Sequence, residues 1–281
     1  MKNLGYYNGK TGLIEELTVP ITDRAFYFGD GVYDAVMCRN NIPYLLSVHL
    51  DRFYKNCEKL SINVPLEAEE LFCLICTLVR KVEGDEKFVY FHASRGNALR
   101  SHVYNGDKGS LCIMITPYKV GNIYEKIDTV TFEDKRYSYC NIKTLNLLPS
   151  ILAAQYAEKQ DAEEAIFIRD GIVTEGSHCN VTVIKGNALI THPADCHILP
   201  GVARAKLIKS ALEQGIAVVE RKYDENELMN ADEIIITSSS KIARGVKSIN
   251  GINVGGRAPD ILKKLQDDLF NDYILATSTL G

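Results

Sequence analysis

Several short and mainly apolar runs lie between turn-forming residues in the first 117 residues, and such runs predict β-strands. Val32 to Cys38 is one such strand, and Phe88 to Ser94 and Leu111 to Thr116 are two more. After Ser47, a good N-cap, apolar residues recur at helical spacing, and a second helical pattern covers about Ala68 to Val82. We therefore expect a first unit in which strands and helices are interspersed.

The pattern changes around residues 118–122, which have little periodicity and follow Pro117, so they predict a linker. The linker divides an N-terminal domain of residues 1–117 from a C-terminal domain of residues 123–281. In the second part, short strands pair as hairpins around turns such as Asp170-Gly171. Helices are predicted at about 150–159, 202–214 and 260–269. Because hairpins dominate, the mixture favours an α+β fold over a doubly wound parallel sheet.

Composition and charge exclude several classes of function. The chain has 281 residues and a formal net charge of -4, which gives no sign of a nucleic-acid-binding surface. No signal peptide pattern and no apolar run of membrane-spanning length are present in the sequence. The eight scattered cysteines, several of them in apolar runs, indicate reduced core residues in a cytoplasmic protein.

Two small groups of residues have the types that bind metals. Cys73 and Cys76 form a C-x-x-C pair within a helical pattern, without a second pair at zinc spacing. His192, Cys196 and His197 form a loose cluster that lacks a fourth ligand. The sequence therefore predicts no metal site.

Lys143 lies in an apolar setting, in the run Ile142-Lys143-Thr144-Leu145-Asn146-Leu147-Leu148 just before a predicted helix. Desolvation lowers the pKa of a lysine amine from its usual value of about 10.4, and the neutral amine is a nucleophile toward aldehydes. A surface lysine that extends along apolar neighbours has the same local pattern. Other candidate residues must decide between these interpretations.

Three segments are suited to bind a phosphate group. Residues 199–204 open a predicted helix, whose exposed amides and dipole attract an anion. Residues 234–240 end a strand in four consecutive hydroxyl residues, and Arg52 places a guanidinium on an otherwise apolar helix face. Taken singly, the three are equally typical of a helix start, a polar loop and a surface arginine.

Glu175 follows a predicted strand and precedes a loop of small residues. A buried carboxylate requires a cationic or hydrogen-bond-donating partner, and the protonated ring nitrogen of a cofactor is one. A solvated glutamate at a hairpin edge is the alternative. An amine, a carboxylate for a pyridinium nitrogen and a phosphate-binding segment are together the groups that pyridoxal phosphate requires.

The order of the motifs adds a resemblance to a known family. The motifs are Asp23-Arg24 with Phe28-Gly29-Asp30-Gly31-Val32-Tyr33, His49-Leu50-Asp51-Arg52, Ile142 to Leu148, Glu164-Ala165, Thr174-Glu175-Gly176-Ser177 with Asn180-Val181, Thr191-His192-Pro193, Ile198-Leu199-Pro200-Gly201 and Thr237-Ser238-Ser239. In these motifs the chain resembles the class IV aminotransferases of fold type IV, most of all the D-amino acid aminotransferases. The motifs extend over nearly the whole chain, in the order of that family.

The resemblance implies a fold, a cofactor and an assembly. The fold is α+β, with a small N-terminal α/β domain and a larger C-terminal domain that contains a barrel-like sheet. The cofactor is pyridoxal 5'-phosphate, and the partners are amino acids and 2-oxo acids. The family works as a homodimer, with sites near the domain and subunit interface.

The resemblance also implies roles for the matching residues. Lys143 holds the cofactor through an imine and carries a proton between the substrate α carbon and the cofactor, while Glu175 keeps the pyridine nitrogen protonated. The residues implied to contact the cofactor are Lys143, Glu175, Arg52, Ser177, Leu199, Gly201, Val202, Ala203, Ser238 and Ser239.

Arg100 and His102 suggest the subclass. In D-amino acid aminotransferases an Arg-x-His pair at this place reaches in from the neighbouring subunit and joins a tyrosine, here Tyr33, to bind the substrate α-carboxylate. Arginine binds a carboxylate through two parallel hydrogen bonds, and tyrosine and histidine add donors. The alternative is an exposed basic loop. The other residues implied to border the substrate are His178, Ser239 and Ser240.

Two departures from the family pattern concern these roles. Ala203 stands where the family usually has a threonine, so only its amide can serve a phosphate. His178 and Cys179 replace small hydroxyl residues, and we expect His178 at the edge of the substrate pocket and not as a catalyst.

The sequence thus predicts transamination between a D-amino acid and a 2-oxo acid such as 2-oxoglutarate or pyruvate. A branched-chain L-amino acid aminotransferase and an aminodeoxychorismate lyase share the fold and are the alternatives within the family. A relative that keeps the scaffold without activity is a third alternative, against which Lys143 and Glu175 argue.

Overall fold

The computed structural model describes residues 1–104, 106 and 108–278, and they form two compact units. The first unit contains Met1–Lys119, Ile142–Asn146 and the chain from Ile274 onward, and the second contains Val120–Asn141 and Leu147–Tyr273. The unit changes at Lys119, inside the expected linker of residues 118–122. A single boundary along the chain would leave Ile142–Asn146 in the second domain. These residues belong to the first unit because their backbone forms hydrogen bonds there.

The first unit is a six-stranded antiparallel sheet with helices on one face. Its strands are β1 (Leu4–Tyr7), β2 (Lys10–Gly12), β3 (Gly31–Arg39), β4 (Ile42–Pro43), β5 (Glu86–Ser94) and β6 (Ser110–Pro117), and its helices are α1 (Arg24–Phe28), α2 (Leu46–Lys59) and α3 (Ala68–Val79), with a 3-10 turn at Ile14–Glu16. The strand order is β2-β1-β6-β5-β3-β4. Residues of α2, α3 and the inner sheet face form one apolar core.

Helix α2 begins one residue before the expected cap at Ser47. Leu45 precedes the helix with a left-handed backbone (φ 53°), and no side chain caps the first turn. Ser47 therefore lies inside the helix, and the expectation of a serine cap was wrong. A local cap preference is small, about 1 kcal/mol, so the packing of Leu46 and Leu50 into the core can decide where the helix starts.

Alternation along the central strands gives the sheet two different faces. Val32 and Val36 of β3 and Phe91 of β5 point into the apolar core, as the period of two requires. Tyr33 and His92, which are paired across the two strands, lie on the opposite face. That second face carries the aromatic and polar groups described below.

The second unit is built on a nine-stranded mixed sheet. Its strands are β7 (Ile127–Glu133), β8 (Glu164–Arg169), β9 (Ile172–Gly176), β10 (Asn180–Lys185), β11 (Ala188–Thr191), β12 (Ala217–Glu220), β13 (Glu233–Thr237), β14 (Arg244–Ile249) and β15 (Ile252–Asn253), and its helices are α4 (Leu148–Lys159), α5 (Val202–Glu213), α6 (Glu225–Met229) and α7 (Pro259–Ala276). The order is β12-β11-β10-β13-β14-β7-β8-β9, with β15 on β14. Helix α7 runs on into the part of the chain that belongs to the first unit.

Hairpins and crossovers coexist in this second sheet. Neighbours such as β8 and β9, or β10 and β11, pair antiparallel, while β7 pairs in parallel with both β8 and β14. Apolar residues of β10, β13 and β14 form the main core of the unit. Within the described residues, no helix is both long and apolar enough to cross a membrane.

Candidate active site

Lys143 is carried by the short segment Ile142–Asn146, which docks along the start of β3. The Tyr33 amide donates to the Lys143 carbonyl over 2.9 Å, and the Leu145 amide donates to the Gly31 carbonyl over 3.0 Å. A side chain at Gly31 would overlap with Leu145 and with the Ala93 carbonyl, so only glycine allows this close approach. The docked backbone leaves the half-buried Lys143 side chain with its nitrogen 4.2 Å from the centre of the Tyr33 ring.

Tyr33 belongs to a row of aromatic side chains on the outer face of the sheet. Its ring stacks on that of Tyr90 at 5.5 Å, and Tyr90 meets the His92 ring edge-on at 5.6 Å. Burial lowers the pKa of His92 to about 4 and raises the pKa of Tyr90. Both groups are therefore neutral at physiological pH. We call Lys143, Tyr33, Tyr90 and His92 the amine half.

Arg52 lies on α2, where its guanidinium forms hydrogen bonds with a buried carboxylate. Nε and one Nη donate to the two oxygens of Asp34 over 2.9 and 2.8 Å. The ring of His49 is also 2.8 Å from Asp34. Burial would raise the pKa of Asp34, but the charge of Arg52 and the hydrogen bond from His49 hold it well below its usual value. Arg52 is thus fixed in place by a fully ionised partner.

Arg100 and His102 are exposed and converge on one aromatic ring. The guanidinium of Arg100 is 5.0 Å from the centre of the Phe28 ring, and the His102 ring is 5.4 Å from it. The buried Arg24 holds the loop, since it donates to the Ser101 carbonyl over 2.6 Å and to the His102 carbonyl over 3.3 Å. Within the described part of the chain, no recorded contact joins Arg100 or His102 to Tyr33.

Glu175 is the residue before the last of β9 in the second unit, and donors surround it. Its Oε1 is 2.5 Å from a guanidinium nitrogen of Arg136. Its Oε2 accepts from the Asn180 side chain over 2.9 Å and from the Leu199 amide over 3.0 Å. The side chains of Glu175 and Arg136 are only 7% and 10% exposed. These donors stabilise the negative charge of a carboxylate that the sequence alone could also place in water.

Arg136 is itself held by a second carboxylate. Asp134, whose side chain is fully buried, accepts from Arg136 Nε over 2.9 Å. Burial opposes the charge of Arg136, but the hydrogen bonds of Asp134 and the charges of Glu175 and Asp134 raise its pKa further above its usual value. Burial would raise the pKa of Asp134, and Arg136 and Arg169 together hold it low. We call Glu175, Arg136, Asp134, Asn180 and Leu199 the carboxylate half.

Gly201 is the N-cap of α5, and its lack of a side chain is required by Asn180. A methyl group at Gly201 would overlap with the Asn180 Oδ1 atom. The same amide group of Asn180 donates to the Leu199 carbonyl over 2.9 Å and to Glu175. The first amides of α5, beginning at Val202 and Ala203, have no partner within their own helix, as at any helix start.

The hydroxyl residues after β13 form a tight turn. Ser238 Oγ accepts from the Lys241 amide over 3.1 Å and lies 3.4 Å from Ser240 Oγ. The Ser238 carbonyl accepts from the Ile242 amide, which closes the turn. Ser238, Ser239 and Ser240 are all half-buried.

Ser177 and His178 surround a different carboxylate, Glu164. The amide of Ser177 donates to Glu164 Oε1 over 3.0 Å, and its hydroxyl donates to the same oxygen. The other oxygen is 2.9 Å from the Lys241 amine and 3.1 Å from the His178 ring. Burial would raise the pKa of Glu164, but the charges of His178 and Lys241 lower it. The His178 side chain is 49% exposed.

The structure brings the sequence-derived candidates together in groups. Lys143 lies on Tyr33, Glu175 bonds with the Leu199 amide, and the serines share one turn. Sequence reasoning missed Arg136, Asp134, Asn180 and Asp34 as partners of these groups. Glu133-Asp134-Lys135-Arg136 looks like a solvated charge run, and nothing in it indicates burial. Asp34 was the one partner that the sequence could have indicated. It lies in a predicted strand at a position that alternates with Tyr33, so this carboxylate shares the face of Val32 and Val36.

Comparison with known proteins supplies the family. Residues 31–249 match the model of the family described as amino-transferase class IV. The chain is 35% identical over 279 residues to the D-alanine aminotransferase of Bacillus licheniformis, covering 97% of this chain and 98% of that protein.

Solved structures give the same fold. A branched-chain aminotransferase of Thermoproteus uzoniensis superposes with a TM-score of 0.88 at 23% identity, over 98% of this chain and 94% of that one. A Legionella pneumophila protein described as a 4-amino-4-deoxychorismate lyase gives 0.85 at 24% identity, over 92% and 97%. These likenesses confirm the predicted two-domain fold of type IV.

The family model spans most of the chain, and the curated relative is similar over nearly its whole length. The predicted enzyme class and the predicted cofactor are therefore confirmed. The chain belongs to the class IV aminotransferases, which are pyridoxal-phosphate-dependent enzymes of transamination.

Proposed function

We propose that this enzyme transfers the amino group of a D-amino acid such as D-alanine to a 2-oxo acid such as 2-oxoglutarate or pyruvate. The observation that carries the proposal is the exposed pair Arg100 and His102, presented side by side against Phe28. Two side chains that donate hydrogen bonds, on one loop held by Arg24, are suited to bind a carboxylate. The similarity to a D-alanine aminotransferase over nearly the full chain supports the same substrate class.

The residues present fit the cofactor. An ionised carboxylate held by three donors at Glu175 favours a protonated pyridine nitrogen beside it. The start of α5 at Gly201 and the serine turn offer backbone amides and hydroxyls to a phosphate. In our proposal Arg52, Val202, Ala203, Ser238 and Ser239 bind the phosphate. Leu199 would pack on the cofactor ring, and Ser177 would act through its hydrogen bond to Glu164.

The chain's own residues then divide the chemistry. When bound, pyridoxal phosphate supplies an electron sink that weakens the bond between the substrate α carbon and its hydrogen. Lys143 would hold the cofactor covalently until the substrate amine displaces it, and its freed Nζ would then accept the proton from the α carbon and return it on the cofactor side. The Tyr33 ring positions that nitrogen from 4.2 Å away.

Arg100, His102 and Tyr33 bind the substrate α-carboxylate in this proposal, with Arg100 as the bidentate partner. Since the position of the carboxylate decides whether the single α hydrogen of a D- or of an L-amino acid faces Lys143, these residues would set the preference for D-amino acids. His178, Ser239 and Ser240 border the substrate side chain. The assembly that goes with these roles is a homodimer in which the loop of Arg100 serves the neighbouring subunit.

Donor preference tests the proposal directly. Purified enzyme with pyridoxal phosphate and 2-oxoglutarate is given D-alanine, L-leucine or 4-amino-4-deoxychorismate, and the 2-oxo products are measured. We expect turnover with D-alanine at a kcat/KM at least about 100-fold above that with L-leucine, since a misplaced substrate costs about that much. A preference for L-leucine, or repeated pyruvate release from 4-amino-4-deoxychorismate when 2-oxoglutarate is left out, would contradict the proposal.

Arg100→Gln tests the residue pair. Loss of the bidentate carboxylate contact should raise KM for D-alanine by about 10- to 100-fold, with a smaller change in kcat. The matched control is Arg80→Gln, which removes another exposed arginine of the first unit at the end of α3. Equal KM values for the two variants would show that Arg100 does not bind the substrate carboxylate.

A further inference from the structure

The loop that joins β11 to α5 holds three side chains of metal-binding type at close quarters. The ligand atoms of Asp195, Cys196 and His197 all lie within 4.8 Å of one another. The sequence grouped His192 with Cys196 and His197. In the structure the His192 ring nitrogen Nδ1 instead lies 2.9 Å from the Pro193 carbonyl, and Asp195 completes the group.

We propose that Asp195, Cys196 and His197 form a binding site for a divalent cation of the zinc type. A thiolate, an imidazole and a carboxylate are the three donor types that zinc takes in proteins. Bonds of about 2.0–2.3 Å at tetrahedral angles place ligand atoms roughly 3.3–3.8 Å apart. Starting from contacts within 4.8 Å, the three side chains need to approach by about 1 Å, which rotamer changes allow.

The turn geometry makes three consecutive residues converge. The Asp195 amide donates to the Pro193 carbonyl over 2.7 Å, and the His197 amide donates to Asp195 Oδ1 over 2.8 Å. The chain therefore folds back on itself instead of pointing successive side chains to opposite sides. Asp195 Oδ2 is 3.6 Å from the His197 ring nitrogen, so the carboxylate already faces the imidazole.

Three protein ligands leave a fourth position for water, as in exchangeable and catalytic zinc sites. On binding, the Cys196 thiol loses its proton to solvent, because the thiolate is the ligand. The side chains are half-buried, and Cys196 is a free cysteine, so a cation can reach them from solvent. His192 remains behind Asp195 at 3.8 Å, where it can orient the carboxylate without binding the metal.

The loop is also connected to the carboxylate half. The His197 carbonyl accepts from an Arg136 nitrogen over 3.1 Å, and the same guanidinium bonds with Glu175. The Cys196 carbonyl accepts from the Cys140 amide over 2.9 Å. A bound cation would therefore stiffen the backbone that supports Glu175. The binding itself does not depend on which amino acid the enzyme uses.

Cobalt is the direct probe of this site, because thiolate bound to Co2+ gives a charge-transfer absorbance that oxygen and nitrogen ligands do not. The holoenzyme, treated with a chelator and freed of amino acids, is titrated with Co2+ and then competed with Zn2+. We expect one Co2+ per chain with a thiolate band that Zn2+ abolishes. Absence of that band in the wild-type protein would overturn the proposal.

Variants locate the ligands. Cys196→Ser should remove the thiolate band, and Asp195→Asn should weaken cobalt binding by at least about 10-fold, the lower range for loss of an outer partner. Asn at 195 can still accept the His197 amide, so the turn is preserved. Cys73→Ser removes an exposed thiol from α3 and serves as the control. A thiolate band that persists in Cys196→Ser, or one that disappears in Cys73→Ser, would refute the assignment.

A labelling experiment on the wild-type protein covers variants that fail to fold. The rate of alkylation of each cysteine by iodoacetamide is measured by peptide mass spectrometry, with and without Zn2+. Zinc should slow labelling of Cys196 by at least about 10-fold and leave Cys73 unchanged, because a coordinated thiolate is a poor nucleophile. Equal rates at Cys196 under both conditions would overturn the site.

Discussion

The amine half and the carboxylate half differ in the partners that their central polar groups, Lys143 and Glu175, bond with. The Lys143 amine lies over the Tyr33 ring, which stacks in turn on Tyr90, whereas Glu175 is held by an ion pair and two further donors. In its proposed role as nucleophile and proton carrier, Lys143 must change its bonds during turnover, so strong fixed partners would hinder it. A carboxylate that only holds charge works best when it does not move. The comparison teaches that the proposed reaction requires two kinds of surroundings: weakly bonded ones for the amine of Lys143 and strongly bonded ones for the carboxylate of Glu175.

Lys143→Ala should give the largest effect, because it removes the reactive group of the amine half without touching the carboxylate half. Transamination should fall by at least about 10³-fold, since proton transfer alone accounts for about 10²- to 10⁴-fold. The absorbance of the lysine-bound cofactor should disappear as well. Lys119→Ala, at an exposed lysine of the same unit, is the control. Wild-type turnover in Lys143→Ala would remove Lys143 from the mechanism.

Arg136→Met tests whether the carboxylate half depends on its ion pairs. Glu175 and Asp134 would remain buried without their shared cation, which typically costs about 3–5 kcal/mol of unfolding free energy. Urea unfolding of the apoprotein measures the loss. Arg257→Met breaks the pair with Asp232, where the arginine is 52% exposed, and should cost no more than about 1 kcal/mol. Similar losses in the two variants would contradict a special role for Arg136.

Acid should affect the two halves in different pH ranges. Because the folded pKa of His92 is lowered to about 4, the unfolded chain binds its proton first as the pH falls from about 6.5. His92 therefore reduces stability progressively between about pH 6.5 and 4, by about 3 kcal/mol in total. Asp134, whose pKa is lowered, instead loses its stabilising effect only below about pH 4.

Comparison of His92→Gln with the wild type isolates the first range. The unfolding free energy, measured in urea at pH 7 and pH 4.5, should differ less in the variant because glutamine does not titrate. His49, whose pKa is also lowered by burial, leaves part of the slope in place. An unchanged pH dependence in His92→Gln would mean that His92 is not held neutral in the folded protein.

Gly201→Ala should have the smallest effect of the set, and it acts on the carboxylate half through Asn180. The new methyl group displaces the Asn180 side chain, so Glu175 and the Leu199 carbonyl each lose a donor. Loss of buried hydrogen bonds of this kind costs about 1–3 kcal/mol, which corresponds to a roughly 5- to 150-fold weaker affinity for the cofactor. Equilibrium dialysis with pyridoxal phosphate measures it. Gly121→Ala, where the added atom meets nothing within 4 Å, should bind normally.

The local sequence selected the candidate residues that lie in short motifs. Each selected candidate lies in a short, characteristic sequence motif: Lys143, Glu175, Gly201 and the serine turn. The fold class and the cofactor followed from the order of those runs.

The partners could not be found in the same way. Arg136 and Asp134 are buried only because β7 pairs in parallel with β8 and β14, a long-range arrangement that no local pattern encodes. Asn180 matters because its amide reaches back to Glu175 across the loop of Ser177 and His178. The start of α2 at Leu46 likewise depends on core packing and not on the capping preference of Ser47.

The first unit is formed from separate stretches of the chain, and this has a consequence for its folding during biosynthesis. Its sheet is complete at Pro117, yet the Lys143 segment is translated later and docks on β3 across more than a hundred residues of chain. Such long-range pairing is slow compared with local folding. A chain that stops at residue 119 would keep nearly all of the first apolar core but lack Lys143, the proposed nucleophile. During synthesis the first unit can therefore form most of its structure early and gain Lys143 only later.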